Sequence, residues 1–494
     1  MEKDLSGSNF RPALYQYLGF LTPKELDKWV AYVHSPYATT HPHLPQLATH
    51  LAALYPEFSS EAASRKALFT FLFPGQPFQD QRIMDYMSYL KKLTEEFLVF
   101  QRIREDRKSW QVQLETSLIE KGAGKLYQQA VRRREKKPVL SPDLDHYFFA
   151  HQHARLHLDF VSAQKQRGWD TALPAMTGLM DQWYLITRLR YACAQLNRSK
   201  VLSEEGDQEF VEKLVELGVE KMPAGKGPLL WEAYFALYQM MTQEPGQAAV
   251  CFRDLRSFLE KNADRLPMPR LHELYAYLMN FCIQRINLGQ ASYREILLEL
   301  YQFQLEKGLL LEEGWLSPWD YKNIVSLALK MKRFAWTLTF IETYRGRLNP
   351  QFRENAYAYN LAAYHQSQGQ HQESLQLLIE VKLEDVFYGL GTRTMLAKSY
   401  FETADLEALF YLLDAFEAWL RRLKGVSAYQ REIYLHFIRR TRKLAQYKGK
   451  MMTNPHLVSA RQLGRLRESL DRNRKIAQWD WLGKQLETLE QFHP

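Results

Sequence analysis

The chain repeats itself weakly but in register, and a repeat period limits the available folds more than any single motif does. Asn323-Ile324-Val325 lies ten residues before Arg333-Phe334, and Asn360-Leu361-Ala362 lies ten before Gln370-His371, an offset of 37 residues. A third copy, Met395-Leu396-Ala397 followed by Asp405-Leu406, comes 35 residues later. Each copy reads as a helix with a large-then-small apolar pair, a short polar turn, and a second helix ending in Phe340-Ile341, Leu377-Leu378 or Leu412-Leu413. A helical pair of that length cannot cover its own apolar face, so successive copies are expected to stack.

From about 319 to 420 this pattern resembles tetratricopeptide-type helical hairpins, with Leu361, Ala362, Gly369, Ser374 and Leu378 on the family's large, small, turn, small and large positions. Lys332 stands at the turn position of the first copy, and Leu409 at a small position of the third. Upstream, 231–261 around Glu244-Pro245-Gly246 and 271–307 around Asn287-Leu288-Gly289 look like longer hairpins of the same kind. The resemblance implies an α-solenoid whose inner surface is a long groove rather than a deep pocket, binding peptides or protein helices. Ligand-facing residues in such families come from the second and sixth positions of each first helix. Carried over singly, these are Trp319 and Asn323, Ala356 and Asn360, and Gly391 and Met395. The Lys/Arg partners that clamp a terminal carboxylate in some relatives are absent from those positions. Phrases such as Leu21-Thr22-Pro23-Lys24-Glu25-Leu26, His34-Ser35-Pro36-Tyr37 and Asp385-Val386-Phe387-Tyr388 also resemble all-helical bacterial proteins over nearly the whole chain, a likeness that assigns no activity.

Composition agrees with an all-α fold. Gly and Pro together supply 43 of 494 residues, too few for a fold made of tight turns, and no stretch alternates at period two for long. Thr22-Pro23-Lys24-Glu25 is a capping box with Pro at the first helical position, and Ser141-Pro142 and Ser317-Pro318 repeat the cap-plus-Pro device. Tyr86, Leu90, Leu93, Phe97 and Phe100 form an apolar stripe at helical spacing, and Gly218, Gly308 and Gly425 are placed as helix ends. The expected organisation is an N-terminal helical domain over 1–131, a basic linker over 132–142, a helical-hairpin repeat array over 143–420, and basic C-terminal capping helices over 421–494. The first residues, Met1-Glu2-Lys3-Asp4-Leu5-Ser6, lead into no apolar run of signal-peptide type, and no stretch approaches the ~18 apolar residues of a membrane span. A cytoplasmic protein is the expectation.

Motifs that carry chemistry are not found. Gly122-Ala123-Gly124-Lys125 has Ile119 where a phosphate-binding loop needs its first Gly, and Leu126 where it needs Ser or Thr. Ala224-Gly225-Lys226-Gly227-Pro228 fails in the same way. Cys193, Cys251 and Cys282 are odd in number and widely spaced, so they form neither a disulfide framework nor a CxxC site. No serine elbow occurs, and carboxylate pairs such as Asp143/Asp145 read as solvated helix ends. His153 and His157, four apart, share a helix face with His146 nearby and are the weak metal candidates. They lack the Glu that a catalytic zinc helix carries, and packed imidazoles are the plainer reading. No catalytic residue and no cofactor is expected, although an active site assembled from distant residues is a standing alternative.

Charge supplies the last constraint. Formal net charge is +9, yet residues 421–475 hold sixteen Lys/Arg against Glu432, Glu468 and Asp471, which leaves the rest of the chain at −4. In this segment Leu435, Phe437, Ile438, Leu444 and Tyr447 interleave with Arg439, Arg440, Arg442 and Lys443, an amphipathic pattern with a basic surface. Two uses fit: a soluble cap on the array, or a surface for a polyanion. The leading expectation is therefore a non-enzymatic interaction scaffold for a protein or peptide ligand, and the alternative is a nucleic-acid-associated protein using the basic segment.

Overall fold

Helices begin where side chains can satisfy the free N–H groups of a first turn. Thr22 Oγ1 accepts from the Glu25 N–H at 3.3 Å while Glu25 Oε2 accepts from the Thr22 N–H at 2.8 Å, opening the helix Pro23–Val33 with both halves of a capping box. Ser317 accepts from the Trp319 N–H at 3.2 Å and opens Pro318–Lys330. Ser141-Pro142 does not start a helix directly. The next one runs Leu144–Ala163, and its first N–H donates to Asp143 Oδ1 at 2.7 Å.

The computed structural model describes residues 12–58, 61–136, 141–163, 171–199, 208–381, 386–472 and 475–492. Among these the chain is all-helical, with twenty-three α-helices against two strands of two residues each, Leu311–Glu312 and Trp315–Leu316. No helix among them is long and apolar enough to cross a membrane. The basic stretch expected as a linker is in part helical: Arg132, Arg133 and Arg134 form the last turn of Gly124–Glu135, while 137–140 lie outside the described residues. By its internal contacts the chain divides into two units, Met1–Phe235 and Ala236–Pro494.

In the first unit, Ala13–Phe20, Pro23–Val33, His43–Ala53, Arg65–Leu72 and the long helix Asp80–Glu105 enclose one core around Trp29. That indole is wholly buried and donates Nε1–H to Thr94 Oγ1 at 3.0 Å, so its one polar atom is satisfied in the interior. Leu90, Leu93 and Phe97 of the apolar stripe face this core, whereas Phe100 is exposed. Further along, Leu144–Ala163 packs along Ala172–Ser199 and against Arg107–Glu120. Gly218 does not end a helix. It lies inside Gln208–Lys221, where an added Cβ would fall 2.0 Å from the ring of the buried Trp231. The residue is small because two elements meet there, not because the backbone turns. Gly308 and Gly425 do follow helix ends, with φ of +69° and +80°.

In the second unit the three copies form three helical hairpins: Pro318–Lys330 with Phe334–Arg345, Arg353–Ser367 with His371–Glu380, and Val386–Glu402 with Leu406–Arg422. Each first helix packs on its own partner and on the next first helix. The turns are the same in all three. Lys332, Gly369 and Ala404 adopt left-handed φ of +58°, +79° and +58°. The following N–H groups, of Arg333, Gln370 and Asp405, each return 3.0 Å to the carbonyls of Ala328, His365 and Tyr400. This is the capping geometry that normally selects Gly, and Lys332 and Ala404 hold it without one. Gly289, between Met268–Asn287 and Tyr293–Glu306, makes the same turn at φ +87°. After the third hairpin, Ala428–Thr453, Ala460–Asp471 and Trp479–Gln491 join its core through Phe437, Leu444, Leu463, Leu482 and Leu486.

Two stability predictions follow from these backbones. Lys332→Gly and Ala404→Gly should each stabilise the protein by about 0.5–1 kcal/mol in denaturant titrations, since a left-handed side chain is relieved at the price of some unfolded-state entropy. Gly218→Ala should act in the opposite direction to helix propensity and destabilise by about 1–3 kcal/mol, because the Trp231 ring has nowhere to move.

Candidate functional site

The second unit contains a cavity of about 570 Å³ against the first helices of the three hairpins. One face of each first helix reaches it at i, i+4, i+7 spacing: Lys322, Ser326 and Leu329 from the first, Tyr359, Ala363 and Gln366 from the second. The third contributes Gly391, Thr394, Met395, Lys398 and Glu402. The far side is closed by Tyr434 of Ala428–Thr453 and by Gln478, Trp481, Lys484 and Gln485 at and in the last helix, Trp479–Gln491. The long open groove expected of the repeat is therefore not what this stretch presents. Its own chain walls the hollow into a pocket.

The walls are fixed by specific contacts. Gly391 is required where it stands, since a Cβ would lie 2.2 Å from the Tyr359 hydroxyl oxygen. Tyr388 packs edge-on against Tyr359, ring centroids 4.7 Å apart, and donates to the Pro318 carbonyl at 3.0 Å, joining the third hairpin to the start of the first. Gln366 Nε2 bridges to the Met395 carbonyl at 2.8 Å and Ser399 Oγ at 2.7 Å. The last helix is held by Glu402, which accepts from Trp481 Nε1 at 3.2 Å and Gln485 Nε2 at 2.6 Å.

Electrostatically the pocket carries three ammonium groups and, among the described lining residues, one carboxylate, Glu402. Burial lowers the pKa of Lys398, with Glu402 one turn on opposing the shift. Its Nζ lies 3.5 Å from Gln478 Oε1 and 5.9 Å from the Trp481 ring centroid. Lys322 Nζ sits 5.1–5.4 Å from the rings of Trp319, Tyr359 and Tyr388. Burial raises the Tyr359 and Tyr434 hydroxyls, keeping both as donors, and holds the His371 imidazole below its ordinary value.

The residues expected to bind a partner separate around this geometry. Met395 and Gly391 line the pocket. Trp319 lies beside it, 39% exposed, its ring 5.8 Å from that of Tyr388. Asn323 is exposed and hydrogen-bonds Tyr301 instead. Asn360 is a correction. It is fully buried and donates Nδ2 to the Ala356 carbonyl at 2.8 Å one turn back, so it meets no ligand, and Ala356 is buried with it. The sixth helical position stands 100° around from the fifth; the fifth and ninth positions of all three first helices line the hollow, joined by the twelfth in the first two and by the second and sixth in the third.

The histidines make contacts within the fold. Among the described residues no three His, Cys, Asp or Glu side chains converge on one point. His153 Nδ1 instead donates to Glu115 Oε2 at 2.7 Å, both side chains being buried, and Glu115 also accepts from Gln111 Nε2 at 3.0 Å and Arg134 Nε at 3.1 Å. His157 Nδ1 lies 3.5 Å from the Tyr127 hydroxyl, and burial together with Lys108 lowers the pKa of His146. The basic surface is likewise reduced. Arg439 and Lys443 are exposed and Arg440 is half-buried, but Arg442 is an internal clamp, bound to Asp414 at 2.6 Å and Glu417 at 3.3 Å on the preceding helix.

No protein-family model matches the chain, and no match is found among the curated proteins or the solved structures.

Glu115 generates a prediction on pH. Burial alone would raise its carboxyl, but the hydrogen bonds from His153 and Gln111 and the charges of His153 and Arg134 bring it below the ordinary range. A folded value below the unfolded one, about 4.3, gives stability that is present above that pH and lost as pH falls through the folded value. Denaturant titrations from pH 7 to pH 3 should show Glu115→Gln less stable than the wild type at neutral pH, with a flatter acid limb.

Proposed function

We propose that the chain is a non-enzymatic cytoplasmic scaffold or adaptor, a tetratricopeptide-like solenoid that takes a short acidic segment of a partner protein at the inner face of the hairpins between Pro318 and Arg422. The observation that carries this reading is the equivalence of the lining residues. Three successive first helices point the same positions at one cavity, and Lys322, Tyr359 and Thr394 occupy the fifth position in turn. An identical recurring turn supports the solenoid assignment, since it sets each second helix back along its first in the same way. The excess of ammonium groups over carboxylates favours an acidic ligand, and a volume of about 570 Å³ suits a few side chains rather than a whole helix. The alternative of a nucleic-acid surface on the basic segment has less support, because Arg442 and Arg467 bind carboxylates of the same chain.

The test is affinity capture from the native host with the full chain and with Ala363→Trp, which places an indole in the cavity while leaving the outer surface alone. A partner held by the wild type, displaced by a poly-glutamate peptide and lost with Ala363→Trp, is the expected outcome. An unchanged set of captured proteins would overturn the reading, provided circular dichroism shows the variant folded.

A further inference from the structure

The chemistry of the pocket narrows what it holds. Its cations are all lysines: Lys322, Lys398 and Lys484 line it, and no arginine does so among the described residues. The planar fork of arginine matches carboxylate and phosphate alike, whereas lysines act as separate point charges, and three of them suit an anion with several acceptor oxygens and more than one charge. A phosphate monoester carries about −1.5 to −2 at pH 7, a charge that takes more than one ammonium group to match. Among the described residues neither Lys398 nor Lys484 forms an ion pair, and the half-buried Lys398 ammonium has the amide oxygen of Gln478 at 3.5 Å, the Trp481 ring centroid at 5.9 Å and the Glu402 carboxylate one turn on. Beside the lysines stand three flat rings, those of Tyr359, Tyr434 and Trp481. Burial keeps the two tyrosine hydroxyls protonated, so they can donate to phosphate oxygens.

We infer that the pocket takes a phosphate monoester borne on a planar ring, the phosphate between Lys322, Lys398 and Lys484 and the ring against the aromatic wall. The same group could arrive on a free small molecule or on a phosphotyrosine side chain of a bound segment. The second source rests on the peptide reading above, and the first does not.

Isothermal titration of the full chain separates these cases. The probes are phenyl phosphate, inorganic phosphate, and an acidic peptide with and without phosphate on its single tyrosine. Phenyl phosphate or the phosphopeptide is expected to bind at least tenfold more tightly than inorganic phosphate or the unmodified peptide. Lys398→Gln and Lys484→Gln should each weaken that binding tenfold or more, with Lys443→Gln, on the outer surface, leaving it unchanged. Lys484 is exposed, so its variant reports on the site even if Lys398→Gln disturbs folding. Binding of phenyl phosphate without either peptide supports the inference and removes the peptide reading. Equal binding of the two peptides, with no binding of phenyl phosphate, overturns the inference and leaves the peptide reading in place. Inorganic phosphate binding as tightly as phenyl phosphate, or lysine variants that bind like the wild type, would also overturn it.

Discussion

The inner wall of the second unit depends on the missing side chain at Gly391. Without a Cβ there, the third hairpin closes onto the Tyr359 hydroxyl, and the approach sets every later contact on that side. Tyr388 then reaches both the Tyr359 ring and the Pro318 carbonyl, so first helices that are 70 residues apart in sequence are tied by one side chain. Gln366 can bridge to Met395 and Ser399 only because the helices lie that close. A side chain at this position would force the Tyr359 ring or the third hairpin to shift, and with it the width of the hollow between the hairpins.

Much of the local structure was legible from the residues. The capping box at Thr22, the Ser317-Pro318 start and the turns at Gly289 and Gly369 appear where hydrogen-bonding chemistry and glycine's freedom place them. Lys332 and Ala404 were harder, because propensity disfavours their left-handed conformation and only the register of the repeat points to it. Gly218 was misleading for a related reason. A glycine can be kept for backbone freedom or for space, and a neighbour 13 residues away, Trp231, decided which.

The pocket was less legible, and the reason is geometric. Choosing positions two and six of each first helix found Gly391 and Met395 but also selected Asn360, which faces the core. Aligning the copies at positions five and nine would have gathered Lys322, Tyr359 and Lys398, since these share one helical face. No pattern within the repeat announces Trp481, Lys484 and Gln485, which come from outside it and are placed by tertiary packing alone. Charge was informative in sum and ambiguous in detail. The surplus over 421–475 is real, yet Arg442 and Arg467 are matched inside the fold, and the exposed remainder is smaller than the formal count.

Because the helix Trp479–Gln491 forms one wall of the hollow, the three hairpins alone do not enclose it. Two hydrogen bonds to one carboxylate, from Trp481 and Gln485 to Glu402, hold that wall in place. The shape of the hollow is therefore a property of the assembled unit, set as much by the helices that follow the repeat as by the repeat itself.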